Sequence, residues 1–158
     1  MGMTYIGGLI GRQSSNGAVT NARYEGNITV TAPKNACAGG IAGSFVGSME
    51  DVQALGDITA NEKANASIAQ YGENSYAGGI AGVMDGTLKD ATAAGFIKAT
   101  NDCTFANVYA YAGGLVGNTT STLTVDTCKA LTTVTATYDV KSGNAREGVI
   151  LGTGTLSL

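Results

Sequence analysis

The sequence predicts an all-β fold, a parallel β-solenoid of about four to five coils with one repeat per coil, and three observations predict it. A glycine-pair motif recurs at nearly constant spacing, each copy is followed by the same ordered set of short β segments, and no window carries a helical stripe closed by caps. A β-prism or a small sandwich built from the same repeats is the alternative architecture. The 158 residues leave room for one domain with a sizeable core, not two.

The motif is Gly7-Gly8-Leu9-Ile10-Gly11, and it returns as Gly39-Gly40-Ile41-Ala42-Gly43. It returns again as Gly78-Gly79-Ile80-Ala81-Gly82 and Gly113-Gly114-Leu115-Val116-Gly117, at offsets of 32, 39 and 35 residues. A blurred fifth copy is Glu147-Gly148-Val149-Ile150-Leu151-Gly152. The repeats therefore run over about 5–36, 37–75, 76–110 and 111–146, with a partial copy at 147–158, in a single domain 1–158. Paired glycines let backbone approach backbone inside a narrow core.

Downstream of each motif stands an apolar residue, Val19, Met49, Leu88 or Val125, followed three positions later by Ala22, Val52, Ala91 or Cys128. Seven positions after the apolar residue comes a marker, Gly26, Gly56 or Gly95, with Thr132 in the fourth repeat. A bend is expected at this glycine, where positive φ carries no Cβ penalty. The next segment alternates apolar and polar residues around Ile28, Ile58, Ile97 and Val134, the period of a half-buried strand. Fifteen of the 24 glycines fall in these columns, so the glycine excess is architectural. Variation in spacing falls in the connections 60–76 and 99–111, and 61–70 is the one segment that reads as a short helix.

Composition narrows the function. There is no His, which removes serine–histidine and cysteine–histidine triads and His-ligated metal sites. Nine basic and 12 acidic residues, scattered and without a basic cluster, lack the footprint of a nucleic-acid binder. No apolar run approaches the roughly 18 residues of a membrane-spanning helix. No cofactor is expected.

Several columns invite a functional reading, and each has a plainer one beside it. Asn21, Asp51, Asp90 and Thr127 form one column. It offers one carboxylate per coil at most, whereas calcium takes six to eight oxygens, so local backbone bonding by Asx side chains is the expectation. Glu50 with Asp51, and Asp85 near Asp90, are carboxylate pairs of the kind that a glycosidase or a β-helical polysaccharide lyase uses, but solvated surface acids are expected. Tyr5, Tyr76 and Tyr111, with Cys37 in the remaining place, would stack sugar rings if they faced outward. Parity with Leu9, Ile41, Ile80 and Leu115 instead places them on an inward face. Thr29, Thr31, Thr133, Thr135 and Thr137 would form a flat threonine face, broken by Lys98. Cys37 and Cys128 occupy small or apolar columns and are expected buried, with Cys103 the exposed thiol. Sequons at Asn27, Asn65 and Asn118 are no more than chance supplies.

The combination resembles the GLUG repeat, in the form where an apolar-x-Asn-small-x-Ala-x-Gly-Asn-Val-Thr segment precedes the next Gly-Gly-Leu-Val-Gly. The matching runs are 19–30, 49–60, 88–99 and 125–136, and the resemblance covers roughly residues 5–152. The departures are Ala42 and Ala81 within the motif, Thr132 in place of the marker glycine, and the blurred fifth copy. Such repeats occur in secreted or surface-anchored proteins, including bacterial adhesin-like proteins and some immunoglobulin A peptidases, where they accompany a separate catalytic domain. The resemblance implies a non-catalytic, extracellular structural or adhesive role and transfers no catalytic residue.

Residues 1–4 show no feature of a signal peptide. Uncapped terminal strands invite pairing with another chain. The candidate end-to-end interface is Tyr5, Leu9 and Ile10 at one end and Val149, Ile150 and Leu151 at the other. The leading expectation is thus a non-enzymatic module of a cell-surface or secreted protein, with a protein or glycan as partner. A filament subunit stacking end to end is the alternative, and a carbohydrate-active enzyme lacks an acid–base set.

Overall fold

The computed structural model describes residues 2–63, 73–103, 108–138 and 144–157, and every regular element in them is a β-strand. The first repeat supplies β1 (Thr4–Gly7), β2 (Ile10–Glu25) and β3 (Ile28–Ala32). The second supplies β4 (Ala36–Gly39), β5 (Ala42–Leu55) and β6 (Ile58–Glu62). The third supplies β7 (Ser75–Gly78), β8 (Ala81–Lys89) and β9 (Thr92–Asn101). The fourth supplies β10 (Tyr109–Gly113), β11 (Val116–Asp126) and β12 (Lys129–Tyr138), and the fifth β13 (Asn144–Gly148) and β14 (Leu151–Ser157). All pairing is parallel, repeat upon repeat. The order β1-β4-β7-β10-β13 forms one five-stranded sheet, and the remaining nine strands form a second. Gly7, Gly39, Gly78, Gly113 and Gly148 stand opposite one another across the first sheet.

The glycine motif is a corner rather than a strand. Each strand of the first sheet ends on the first glycine of the pair, and the chain bends through the next two residues before the following strand begins. The corner keeps the hydrogen-bond ladder going: Ile41 N–H donates to Ile80 O at 2.8 Å, and Ile80 N–H to Leu115 O at 2.7 Å. Its tightness comes from the missing Cβ atoms. A Cβ on Gly40 or Gly79 would overlap the backbone carbonyl of the equivalent residue one repeat further on.

Two further columns of positive φ follow, the first in four repeats and the second in three. At the first, Asn21, Asp51, Asp90 and Thr127 adopt left-handed backbone with φ of 53°, 51°, 49° and 52°. Asn and Asp tolerate that region better than other side chains, which explains three of the four identities. At the second, Gly26, Gly56 and Gly95 take φ of 146°, 145° and 130°, as the marker column requires. Just beyond it an Asx ladder ties the repeats together. Asp57 N–H donates to Asn27 Oδ1 at 2.9 Å, and Phe96 N–H to Asp57 Oδ1 at 3.0 Å. The segment expected as a short helix begins inside β6 instead, with Asn61 and Glu62 extended and paired to β9. Its remainder beyond Lys63 lies outside the described residues.

Two apolar clusters fill the interior. One stacks Ile41, Ile80 and Leu115 with Met49, Leu88 and Val125 and with Phe45, Met84 and Leu123. The other packs Ile28, Ile58 and Ile97 against the small face of the first sheet, Ala36, Ala38, Ala77, Ala110 and Ala112. Each large side chain fully buried here contributes roughly 1.5–3 kcal/mol. Burial is greatest in the central repeats. Val52 and Ala91 are fully buried, whereas their counterparts Ala22 and Cys128 are only partly so. Leu9, in the outermost corner, is 52% exposed.

Candidate functional site

Strand alternation sends Ala36 and Ala38 of β4, and Ala110 and Ala112 of β10, into the core. The residues between them therefore face the other side of the sheet. That opposite face carries the tyrosine column, with Tyr5, Cys37, Tyr76, Tyr111 and Arg146 in register. The column thus lies on the face opposite to the one expected from parity, although Cys37 and Tyr76 are buried as expected. Ile41, Ile80 and Leu115 are in the apolar core, but the glycine corner lies between them and the tyrosines, so alternation does not carry across.

The column is a ladder of rings. Tyr76 and Tyr111 stack with centroids 5.3 Å apart and planes 8° from parallel, and Tyr109 stacks on Tyr111 at 5.3 Å. Arg146 lies over Tyr109 at 5.7 Å and Arg12 over Tyr5 at 5.1 Å, so a guanidinium closes each end. Tyr76 is held by Asn74, whose Nδ2 donates to its hydroxyl at 2.8 Å. Burial, only partly offset by that bond, pushes the Tyr76 hydroxyl up to about 12. Cys37 is fully buried, and burial pushes its thiol to about 12, so it stays protonated and unreactive.

Beside the ladder runs a groove of about 230 Å³, with Met3, Tyr5 and Tyr76 along one wall. The facing wall includes Arg12, Ser44, Val83 and Asn118, which are in register on β2, β5, β8 and β11. Gln13, Asp85 and Thr120 add polar groups to its lining. Asp85 is not the solvated acid that the sequence predicts. Relative to β8, β11 carries extra residues between Asn118 and Leu123, and Asp85 fills the resulting bulge. Its Oδ1 accepts from Thr119 Oγ1 at 2.5 Å and from the N–H groups of Thr120 and Ser121 at 2.8 Å, and its Oδ2 accepts from Thr120 Oγ1 at 2.5 Å. Burial alone would raise this carboxyl, but these bonds outweigh it and hold it below the usual carboxylate range. Asp85 and Asp90 are five residues apart on an extended chain, about 16 Å, too far for a carboxylate pair acting on one bond.

The other candidate columns resolve into structure. Asn21, Asp51, Asp90 and Thr127 are exposed, and among the described residues no group of three or more potential ligands could hold a metal ion. Glu50 is paired with Lys89 at 2.6 Å. Thr127 is β-branched in left-handed backbone, a conformation that costs about 1–3 kcal/mol. Thr127→Asn should therefore stabilise the protein by about 1 kcal/mol and raise Tm by about 2–4 °C, read by circular dichroism. A lower Tm would mean that the Thr127 hydroxyl's 2.8 Å bond to Asp126 outweighs the strain. On the threonine face, Thr29, Thr59, Lys98 and Thr135 share one column, so the lysine does interrupt it.

Cys37 is buried as expected, but the other two thiols differ from expectation. Cys103 is fully buried and Cys128 is the one partly exposed, and none of the three forms a disulfide. Cys103 is drawn inside by Asn101, itself fully buried, whose Oδ1 accepts the Cys103 N–H at 2.9 Å. Asn101 Nδ2 also donates to Glu73 O at 2.7 Å. Beside it lies an acidic pair that the sequence pattern did not bring forward. Glu62 is fully buried with neither carboxylate oxygen hydrogen-bonded, and Glu73 is 5% exposed with Oε1 3.6 Å from Lys34 Nζ. The signal was present: Glu62 shares the inward parity of Ile58 and Ala60 on β6.

Comparison with family models, with curated proteins and with solved structures gives no match to this chain. No helix among the described residues is long and apolar enough to cross a membrane.

Proposed function

We propose that the chain is a parallel β-solenoid, one repeat per coil, serving as a non-enzymatic structural and adhesive module of a secreted or cell-surface protein. The observation that carries this reading is the unbroken register of Gly7, Gly39, Gly78, Gly113 and Gly148, one per repeat and all parallel. With parallel strands about 4.8 Å apart, five such coils make a stiff block about 20 Å long, which suits a spacer. The resemblance to GLUG repeats supports the extracellular setting. Three acids among the described residues are engaged in structure, in keeping with a non-catalytic role: Glu50 is ion-paired, Asp85 is saturated by hydrogen bonds, and Glu62 is sealed in the core.

The alternative is a filament subunit, favoured by apolar side chains exposed at both ends. Ile6 and Leu9 are 38% and 52% exposed at one end, and Val149 is 74% exposed at the other. Val149 also presents an obstacle. It occupies the second-glycine place, where a Cβ points at the backbone of the next repeat. Stacking Tyr5–Gly11 of another copy on Gly148–Gly152 would press that valine into a backbone carbonyl, so the module is the favoured reading. Size-exclusion chromatography with light scattering and electron microscopy tests it. Monomers at high concentration are expected, and filaments would overturn the choice.

A further inference from the structure

The ring ladder has a missing rung. Tyr76, Tyr111 and Tyr109 stack without interruption, and Tyr5 stands at the same register position two strands beyond Tyr76. Two parallel strands span about 9.6 Å, close to twice the 5.3 Å between the Tyr76 and Tyr111 rings, so the ladder has one register position between Tyr5 and Tyr76. The residue there is Cys37, whose short side chain is fully buried and supplies no ring. Tyr5 and Tyr76 both line the groove, whereas the buried Cys37 between them does not. We infer that this groove is a saccharide-binding site, in which one pyranose ring of a glycan packs against the rings of Tyr5 and Tyr76.

The lining selects the chemistry. At about 230 Å³ the groove is smaller than the roughly 300 Å³ at which drug-sized sites begin, which suits one ring rather than a nucleotide or large cofactor. A pyranose presents apolar C–H faces to aromatic rings and hydroxyls around its edge. The tyrosines offer the first contact, and Gln13, Ser44, Asn118 and Thr120 on the lining offer partners for the second. A phenyl ring from a peptide would fit the tyrosines but leave those polar groups without partners, at a cost of about 1–3 kcal/mol for each that is buried. Arg12, stacked on Tyr5, makes no ion pair among the described residues and is available to a hydroxyl or a sugar carboxylate.

The inference rests on the adhesive part of the proposed function, and its test separates the two. The 158-residue chain is applied to a printed array of neutral and uronic-acid oligosaccharides, and any hit is titrated by calorimetry. Binding of at least one saccharide is expected, weakened about tenfold or more by Tyr5→Ala. Cys37→Tyr, which fills the rung, should abolish it. Because Cys37→Tyr challenges a buried position, Asn118→Ala on the facing wall is measured as well and should weaken binding several-fold. Thr135→Ala, on another strand face, should bind as the parent does. Failure of the parent to bind any saccharide overturns the inference, while a monomeric block in electron microscopy still leaves the structural module standing. Binding that survives Tyr5→Ala and Asn118→Ala also overturns it, as does capture of aromatic peptides in preference to sugars.

Discussion

Alanine at Gly40 or Gly79 is expected to unfold much of the protein, and valine at either position to unfold it outright. At both positions the added Cβ points along the stacking direction, at the carbonyl of the equivalent glycine in the next repeat. On Gly79 it would also come within 2.5 Å of Ala93 Cβ. These partners are backbone and a core methyl, which have no rotamer by which to retreat. Relief would require separating two strands whose spacing is fixed by their hydrogen bonds. Overpacking in a yielding core costs about 1–3 kcal/mol, and an unyielding site costs more. Against a total stability of about 5–15 kcal/mol, Gly40→Val should leave no cooperative melt. Gly11 is the control. Its Cβ would meet only Tyr5 O at 3.5 Å, whereas the equivalent Cβ on Gly43 would lie 2.6 Å from both Gly11 O and Ile6 N. Gly11→Ala should therefore melt within a few degrees of the parent and Gly43→Ala far below it. A Gly40→Val protein with parental Tm would remove the close-packed corner from the account.

The second large effect is a dependence on pH that runs opposite to ordinary acid denaturation. Glu62 is fully buried, and burial, reinforced by the negative charges of Glu73 and Asp102, pushes its carboxyl from the ordinary 4.5 up to about 7. Between those values the folded chain holds a proton that the unfolded chain has released. The contribution of Glu62 is therefore fully present below about pH 4.5, declines as pH rises towards 7, and levels off above it. The loss is on the order of 2–3 kcal/mol. Among the described residues Glu62 makes no ion pair, and Lys34 contacts Glu73 instead, at 3.6 Å. Glu62→Gln keeps the shape and removes the titration. Urea midpoints should fall for the parent between pH 5 and pH 8 and stay nearly level in the variant. Parallel profiles for the two proteins would show that Glu62 ionises freely in the fold.

Much of this architecture is written in the sequence because backbone contact between repeats admits only glycine. The columns of Gly7 and Gly8 recur for a reason that needs no side chain, and the alternation around Ile58 and Ile97 gives the inward face directly. What the sequence hid depends on corners and bulges. The parity of Tyr76 with Ile80 failed because the chain turns between them at Gly79. Asp85 looked like a surface acid because its partners belong to a bulge in another strand. That bulge does leave a trace: the third glycine and the next apolar column are eight residues apart in Gly11–Val19 and Gly117–Val125, but six in Gly43–Met49 and Gly82–Leu88. The burial of Cys103 had no such trace, since it follows from the bonds that Asn101 makes across repeats. The groove beside the tyrosines was legible only in part. Cys37 was visible as the odd member of its column, but the face it occupies emerges only with the corner in place.

The central claim is that each repeat forms one layer paired in parallel with the next. A nuclear Overhauser spectrum of the isotopically labelled protein tests it most directly, on the exposed face where Thr29, Thr59, Lys98 and Thr135 share one column. The account predicts inter-strand backbone contacts linking Thr29 to Thr59, Thr59 to Lys98 and Lys98 to Thr135. Antiparallel contacts, or pairing of these strands within a single repeat, would contradict it.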